Sequence, residues 1–228
     1  FDGGACMYEI GVRKVRIFEV CPRDGLQNEP DFIATENKIK LVDMLTDAGC
    51  KDIEVTSFVH PKWVPQLADS VDVLKGIKRA SGVNYNALIP NLKGLQRAID
   101  AGLEEIVTIM SSSEAHNMKN LNMSVAEYLE QMKEINDLAR EHNVRVRSYI
   151  ATAFGCPMQG AIPVDLVADI ARKLESYGSY EVSLGDTTGM ASPDLVFKVV
   201  DAVKRRMNNS SLAVHFHRSN GIEFANVL

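Results

Sequence analysis

The sequence has few cysteines, and their spacing excludes the usual structures built from this residue. Its 228 residues include four cysteines, and no two of them form a C-x-x-C pair. A disulfide scaffold or a zinc knuckle would need paired or closely spaced cysteines. We therefore expect Cys6, Cys21, Cys50 and Cys156 to be free thiols in a reducing compartment.

Long apolar runs and clusters of one charge are also missing. No stretch approaches the roughly 20 apolar residues that span a membrane, and the N-terminus shows neither a signal core nor an Arg-rich transit pattern. The net charge of −5 is spread without a basic block, so neither nucleic acid nor a membrane is expected as a partner. We expect a cytoplasmic protein, with the mitochondrial matrix as the alternative because a leader could have been removed before Phe1.

No segment rich in proline, glycine or serine divides the chain, so residues 1–228 are interpreted as a single domain. Seven apolar strand patterns alternate with amphipathic helical patterns, which predicts a parallel sheet built from right-handed βαβ units. The first strand is expected to be buried, with Val15, Ile17 and Val20 inside it and Pro22 ending it. Thr35 is predicted to cap the first helix, and Ser124 with Glu127 is predicted to form a capping box.

Two α/β folds fit this alternation, a doubly wound open sheet and a (β/α)₈ TIM barrel. No G-x-G-x-x-G follows the first strand, which disfavours the dinucleotide-binding open sheet. A barrel carries its function at the C-terminal ends of its strands, and polar residues lie there while the N-terminal ends offer nothing comparable. The predicted fold is therefore a barrel. Seven strands, in fewer than the typical ~250 residues, indicate that the eighth βα unit is missing from this sequence.

The stretch FEVCPRDGLQNEP joins a cation and a carboxylate at the exit of the first strand. Arg23 and Asp24 could place a ligand for a hard metal ion beside a group that stabilises an anion. The alternative is an Arg–Asp pair that closes a surface turn. A second set of ligands lies in LAVHFH, where His215 and His217 are two apart on a strand and share a face. With Asp24 they form a nitrogen and oxygen set that suits Mg²⁺, Mn²⁺ or Zn²⁺.

Several other polar residues have two interpretations. Glu54 lies inside a strand and needs a partner, either in an ordinary salt bridge within the barrel or with Arg23 beside the metal. Asp186, in SLGDTTG, either orients a metal-bound group or holds its own turn through Thr187 and Thr188. Cys156 is interpreted as a small apolar residue, and His60 and His116 as loop or lid residues.

A set of motifs in a fixed order resembles the 3-hydroxy-3-methylglutaryl-CoA lyase family, which belongs to the metal-dependent barrels with an R-D-G/x-x-Q signature. The similarity runs from about Val15 to the end, and RDGLQNE together with TSFVHPKWVPQ is specific to the lyase branch. The motifs are FEVCPRDGLQNEP, IEVTSFVHPKWVPQLAD, PNLKGLQRAI, residues 113–122, FGCP, SLGDTTG and AVHFH.

The resemblance implies retro-Claisen cleavage of an acyl-CoA substrate to acetyl-CoA and acetoacetate, in what we expect to be a homodimer. It makes Asp24, His215 and His217 the ligands of Mg²⁺ or Mn²⁺. His215 or Asp24 would accept the hydroxyl proton, and Arg23 would stabilise the enolate. The residues expected to line the site or hold these groups in place are Gln27, Glu54, Tyr149, Asp186 and Thr187.

Two departures from the family pattern bear on these expectations. The family continues H-x-H with Asp-Thr, whereas Arg218, Ser219 and Asn220 follow here. The family's later region, with an Asn ligand, the eighth strand and a Gly-rich loop carrying a Cys, is absent. The chain as it stands is therefore expected to bind metal poorly and to lack its proton donor. The alternatives to the lyase are a Claisen-condensing acyl-CoA/2-oxo acid synthase of the same barrel class and a non-catalytic barrel remnant.

Overall fold

The strands of the protein lie side by side in the order in which they occur in the chain. The computed structural model describes residues 15–219 and 221–227, so Cys6 and Asn220 lie outside the described ranges. Within those ranges the strands form a single parallel sheet with the order β1 to β7. The strands are β1 Phe18–Glu19, β2 Asp52–Ser57, β3 Asn84–Ile89, β4 Glu105–Ser111, β5 Arg145–Ala151, β6 Glu181–Asp186 and β7 Ser211–Phe216.

Helices connect these strands. They are α1 Thr35–Asp47, α2 Ser70–Gly76, α3 Leu92–Asp100, α4 Glu114–Leu121, α5 Val125–Glu141, α6 Val164–Tyr177, α7 Pro193–Arg206 and α8 Ile222–Val227. The sequential, all-parallel order is that of a (β/α)₈ barrel, since a doubly wound sheet would reverse direction at a switch point. The prediction of a barrel short of its eighth unit is confirmed. None of the helices in the described ranges has both the length and the apolar character needed to cross a bilayer.

The main core lies between the sheet and the helices. Alternate strand residues face outward toward it, as Ile53 and Val55 do on β2, while their neighbours face into the barrel. Side chains cap several of the helix starts, and the predicted capping box is one of these caps. Asn91 accepts the backbone N–H of Gly94, and the capping box of Ser124 and Glu127 is present. These caps satisfy donors that a helix leaves unpaired at its first turn.

The first strand differs from the prediction. Only Phe18 and Glu19 pair with β2, and the preceding Val15 and Ile17 are 85% and 77% exposed. This strand lies at an edge of the described sheet, so no neighbour covers the residues before it. Beyond Val20 the chain turns at once, because the carbonyl of Val20 accepts the N–H of Asp24 at 2.7 Å. The prediction of a buried strand was therefore wrong.

Two helix predictions also need correction. Thr35 is the first residue of α1 rather than its cap, and its hydroxyl donates to Asp69 at 2.8 Å. The short helix α4 was not predicted, because its eight residues carry few apolar side chains. Both errors concern helix ends or short helices, where tertiary contacts outweigh local propensity.

The N-terminal ends of the strands are more polar than predicted. Arg147 on β5 pairs with Glu181 at 2.5 Å, and Arg145 pairs with the fully buried Glu105 at 2.7 Å. Arg147 also lies against the aromatic rings of Phe18 and Tyr149. The expectation that these ends offer nothing comparable was wrong, because this layer of the barrel interior is filled by ion pairs. The paired charges make it a packed structural layer.

Candidate metal centre

The turn after β1 places two charged side chains at the C-terminal rim of the barrel. Residues Cys21–Gly25 form a single wide helical turn, which directs Arg23 and Asp24 toward the barrel axis. One carboxylate oxygen of Asp24, Oδ1, accepts hydrogen bonds from Arg23 Nη1 at 2.7 Å and Gln27 Nε2 at 3.0 Å. The other oxygen, Oδ2, faces β7.

Two histidines at the end of β7 face that free oxygen. His215 Nε2 lies 3.5 Å and His217 Nε2 lies 3.3 Å from Asp24 Oδ2, and the two rings are 4.8 Å apart. The Nδ1 of His217 lies 3.1 Å from the carbonyl oxygen of Thr187. A carbonyl only accepts, so Nδ1 carries a hydrogen and donates it, and Nε2 is the ring nitrogen that faces the cluster.

The geometry of these three residues fits a single divalent cation. Their ligand atoms all lie within 4.8 Å of one another. Neighbouring ligands on an octahedral ion with bonds of about 2.1 Å are roughly 3 Å apart, close to the two nitrogen–oxygen distances observed. Two imidazoles and a carboxylate suit Mg²⁺, Mn²⁺ or Zn²⁺. The structure thus brings together the three residues that the sequence proposed as ligands.

The charges of the cluster are strongly coupled. Burial favours the neutral form of Asp24, but hydrogen bonds from His215 and His217 and the charge of Arg23 outweigh it and hold the pKa of Asp24 well below its usual range. The hydrogen bond to Asp24 raises the pKa of His217 above its ordinary value, although burial opposes this. Asp24 is therefore a carboxylate throughout the physiological range, as a metal ligand must be.

Arg23 is held in place by a buried carboxylate beneath it. Its Nε donates to Glu54 Oε1, and Glu54 is fully buried on β2. The second oxygen of Glu54 accepts the hydroxyl of Tyr149 at 3.1 Å. Burial, followed by the charge of Glu54, raises the pKa of Tyr149, so this hydroxyl keeps its proton. Since Arg23 is only 6% exposed, the alternative of a surface turn closed by an Arg–Asp pair is wrong.

Asp186 holds its own turn, through partners other than those predicted. Its Oδ1 accepts the backbone N–H groups of Met190 at 2.8 Å and Ala191 at 3.2 Å. The hydroxyl of Thr187 is used elsewhere, because it accepts the N–H of Thr152 at 3.0 Å. The other oxygen of Asp186, Oδ2, is buried without a hydrogen-bond partner among the described groups.

The remaining candidates lie outside the cluster. Cys156 lies in the apolar core, as predicted, but its sulfur also accepts the hydroxyl hydrogen of Ser113 at 3.1 Å. Burial raises the pKa of Cys156, and hydrogen bonds from Ser113 and two backbone amides outweigh that effect and lower it. His60 accepts a backbone N–H within its own loop, and His116 contacts Asn120 on α4. Neither histidine is a member of the group of possible ligands in the described ranges.

The ion pairs of the cluster do not involve Arg218, the residue that departs from the family pattern. Among the described residues Asp24 pairs with Arg23, His215 and His217, and Arg218 is exposed at the start of the following loop. Glu223 fixes that loop by accepting the N–H groups of Ser219 at 2.8 Å and Gly221 at 3.0 Å. These two bonds and the nearby Arg218 charge lower the pKa of Glu223.

The structural role of one residue at this rim was not predicted. Thr152, directly after β5, is fully buried and has a φ of 57°. A β-branched residue is rarely found in this left-handed region. The sequence carries no signal for this conformation, since glycine or asparagine would be expected there.

Comparison with known proteins gives a consistent result. The family model described as HMGL-like matches residues 14–228. The chain is 46% identical over 216 residues to the hydroxymethylglutaryl-CoA lyase YngG of Bacillus subtilis, covering 95% of this chain and 72% of that protein. It is 45% identical to the mitochondrial hydroxymethylglutaryl-CoA lyase of Homo sapiens, of which it covers 66%. The chain therefore spans 72% and 66% of the length of these two relatives.

Solved structures agree with the sequence comparison. A crystal structure of hydroxymethylglutaryl-CoA lyase from Pseudomonas aeruginosa matches with a TM-score of 0.91 and 46% identity, over 94% of this chain and 71% of the other. A lyase structure from Acinetobacter baumannii, in complex with coenzyme A and 3-methylmalate, matches with a TM-score of 0.88 and 37% identity, over 93% and 69% of the two chains.

Proposed function

The chain belongs to the HMGL-like family, and from this premise we propose that the protein cleaves 3-hydroxy-3-methylglutaryl-CoA to acetyl-CoA and acetoacetate in a reaction that depends on a divalent cation. The observation that carries the proposal is the cluster of Asp24, His215 and His217 beside the buried Arg23. Relatives that share 45–46% of the sequence bear the name of this lyase. The substrate, the cation and the roles below are parts of the proposal.

Asp24, His215 and His217 would hold Mg²⁺ or Mn²⁺ through Oδ2 and the two Nε2 atoms. The bound cation would act as a Lewis acid that makes the tertiary hydroxyl of the substrate easier to deprotonate. Gln27 and Arg23 keep the other oxygen of Asp24 occupied, which fixes the carboxylate plane. Thr187 orients the ring of His217 through its carbonyl oxygen.

The proton from the substrate hydroxyl needs an acceptor at this rim. Asp24 is a poor one, because a carboxylate with so low a pKa binds a proton weakly. We therefore assign the proton to the Nδ1 of His215, because its Nε2 would be bound to the cation. As the hydroxyl oxygen forms its double bond to carbon, the neighbouring carbon–carbon bond breaks and its electron pair passes to the thioester as an enolate. Protonation of that enolate gives acetyl-CoA, and the new ketone is acetoacetate.

Arg23 is placed to stabilise the enolate oxygen. Its Nε is taken by Glu54 and its Nη1 by Asp24. In the described ranges no group accepts a hydrogen bond from its Nη2, so two donors are left for a developing negative charge. A buried, preorganised cation stabilises such a charge more strongly than water does. Glu54 and Tyr149 act by holding this guanidinium in place.

The cation and the partners follow from the same proposal. The ligand set does not choose between Mg²⁺ and Mn²⁺, and Zn²⁺ is the third possibility. Coenzyme A in the Acinetobacter structure supports an acyl-CoA substrate. The homodimer stays a prediction. The relatives include a bacterial enzyme and a mitochondrial one, so the cytoplasm and the alternative matrix location also stay predictions.

Product analysis tests the proposal and its rivals together. Full-length protein would be incubated with 3-hydroxy-3-methylglutaryl-CoA and Mg²⁺, Mn²⁺ or EDTA, and acetoacetate would be measured. A parallel sample would receive acetyl-CoA and a 2-oxo acid, and released CoA would be measured. Acetoacetate that disappears with EDTA supports the lyase. Release of CoA only in the second sample supports the synthase, and no turnover in either by a folded protein supports a non-catalytic barrel.

A further inference from the structure

A chain of hydrogen bonds joins His217 to a strained residue on another strand. The carbonyl oxygen of Thr187, directly after β6, accepts from His217 Nδ1 at 3.1 Å. The hydroxyl oxygen of the same Thr187 accepts the backbone N–H of Thr152 at 3.0 Å. Thr187, in the loop after β6, therefore links the loop after β5 to His217 at the end of β7. Its position determines where its carbonyl oxygen meets the imidazole ring.

The unusual conformation of Thr152 directs its backbone N–H toward the hydroxyl of Thr187. Its φ of 57° lies in the left-handed region, which a β-branched residue rarely adopts. Such a conformation persists only where the surroundings impose it. Here the hydroxyl of Thr152 is 2.7 Å from that of Ser111, and its carbonyl accepts from Ser112 Oγ at 3.1 Å and from the N–H of Gly155 at 3.1 Å. These contacts hold Thr152 in this conformation through its side chain and its carbonyl group.

β5 and β6 are also in contact at this point. A side chain at Gly185 would meet the carbonyl oxygen of Ile150 at 3.4 Å and Thr187 Oγ1 at 3.7 Å. These are ordinary contact distances, and the N–H of Ala153 donates to the carbonyl oxygen of Gly185 at 3.1 Å, so a second bond holds the loop after β5 to β6. Strained backbone at the rim of a barrel is a reason to look for a function that the strain serves.

We propose that Thr152 and Thr187 form a positioning clamp, in which the N–H of Thr152 fixes Thr187 and the carbonyl of Thr187 fixes the ring and the tautomer of His217. The inference rests on the proposed metal centre, since it is the Nε2 of His217 that the clamp presents to the cation. Neither threonine touches the cation itself. Partners that orient a ligating histidine in this way typically contribute 10–100-fold to metal affinity.

The test compares Thr187→Val, which removes the hydroxyl, with Thr187→Ser, which keeps it. Mn²⁺ affinity of the full-length protein would be measured by calorimetry without substrate. We expect Thr187→Val to weaken Mn²⁺ binding about 10–100-fold and Thr187→Ser to retain it within about threefold. Thr152→Gly keeps the N–H donor and tolerates a positive φ, so it is also expected to retain the affinity. Equal affinity in the valine and serine variants would overturn the inference.

A second readout does not depend on metal. In the ¹⁵N NMR spectrum of the metal-free protein, the His217 signals would be assigned by their loss in His217→Gln. Wild type and Thr187→Ser are expected to show an Nδ1–H signal that is protected from exchange with water, and Thr187→Val is expected to show the same signal with faster exchange. An unchanged exchange rate of the Nδ1–H in Thr187→Val would overturn the clamp. If wild type bound no Mn²⁺, the proposed metal centre would be refuted, and this spectrum would still decide whether the clamp exists.

Discussion

Removal of the buried charge of Glu54 is expected to destabilise the protein strongly. Glu54→Gln keeps the shape of the side chain and allows neutral hydrogen bonds to Arg23 and Tyr149, but it leaves the guanidinium with Asp24 as its only anionic partner among the described residues. Breaking a buried ion pair from one side costs about 3–5 kcal/mol. We expect about 3 kcal/mol, the lower end, because Asp24 remains at 2.7 Å.

Glu105→Gln provides the matched control. Glu105 is equally buried on β4, but the side chain of its partner Arg145 is 56% exposed, so water can solvate Arg145 when the pair is lost. Burial raises the pKa of Glu105, which means that the fold penalises its charged form. Its contribution to stability is present at low pH and declines as pH rises through that raised pKa. At pH 7 the neutral amide is therefore expected to change the free energy of unfolding by less than about 1 kcal/mol.

Urea denaturation followed by far-UV circular dichroism would measure both variants. Fluorescence is a poor probe here, because the single tryptophan, Trp63, is 82% exposed in the native structure. With a denaturant slope of about 3 kcal/mol/M, the Glu54→Gln midpoint is expected to fall by about 1 M. A Glu54→Gln midpoint within 0.3 M (~1 kcal/mol) of wild type, or an equal loss in Glu105→Gln, would refute the reasoning.

Three further predictions follow from other regions of the structure. Ser124→Ala should lower the free energy of unfolding by about 1 kcal/mol, because it removes the capping box of α5. The Mn²⁺ affinity should stay the same, and a change in that affinity would contradict this prediction. Burial raises the pKa of Glu175, and the backbone N–H groups of residues 208–210 outweigh that effect and lower it. Glu175→Gln should therefore destabilise the protein by about 1–2 kcal/mol at pH 7 and by less at pH 3. An equal loss of stability at both pH values would count against this cause. Alkylation followed by mass spectrometry should label the exposed Cys21 in the native protein and the buried Cys156 only after unfolding; native labelling of Cys156 at a similar rate would show that its burial is not maintained in solution.

The sequence predicted the elements whose pattern repeats over several residues. Six of the strands and the capped start of α5 follow directly from their apolar patterns and from Ser124 and Glu127. The edge strand β1 failed because its apolar neighbours Val15 and Ile17 have nothing to pack against in the described structure. Local pattern does not show whether a partner covers a residue.

The charged layer of the barrel was visible in the sequence but was misjudged. In β5, Arg145, Arg147 and Tyr149 occupy alternate positions, which places all three on the inner face of the barrel. Their carboxylate partners lie on other strands, at positions 105 and 181. Buried charge is expensive unless it is paired, and such pairing becomes visible only when the register of the strands is known.

The grouping of the candidate ligands was predicted, but the contacts that hold them in place were not. Residue type and spacing brought Asp24, His215 and His217 together correctly as a group. The bridge from Thr152 through Thr187 to His217 could not be predicted, because it depends on one residue in a left-handed conformation that threonine rarely adopts. Propensity argues against that conformation, and only tertiary contacts impose it.

The central claim is that one divalent cation, held by Asp24, His215 and His217, is required for cleavage of 3-hydroxy-3-methylglutaryl-CoA. The most direct measurement is the rate of acetoacetate release from metal-stripped full-length protein as Mn²⁺ is added in known equivalents. The account predicts no release without metal, a linear rise that saturates at about one ion per chain, and no recovery in Asp24→Asn. Release that is independent of added metal, or full recovery in Asp24→Asn, would contradict it.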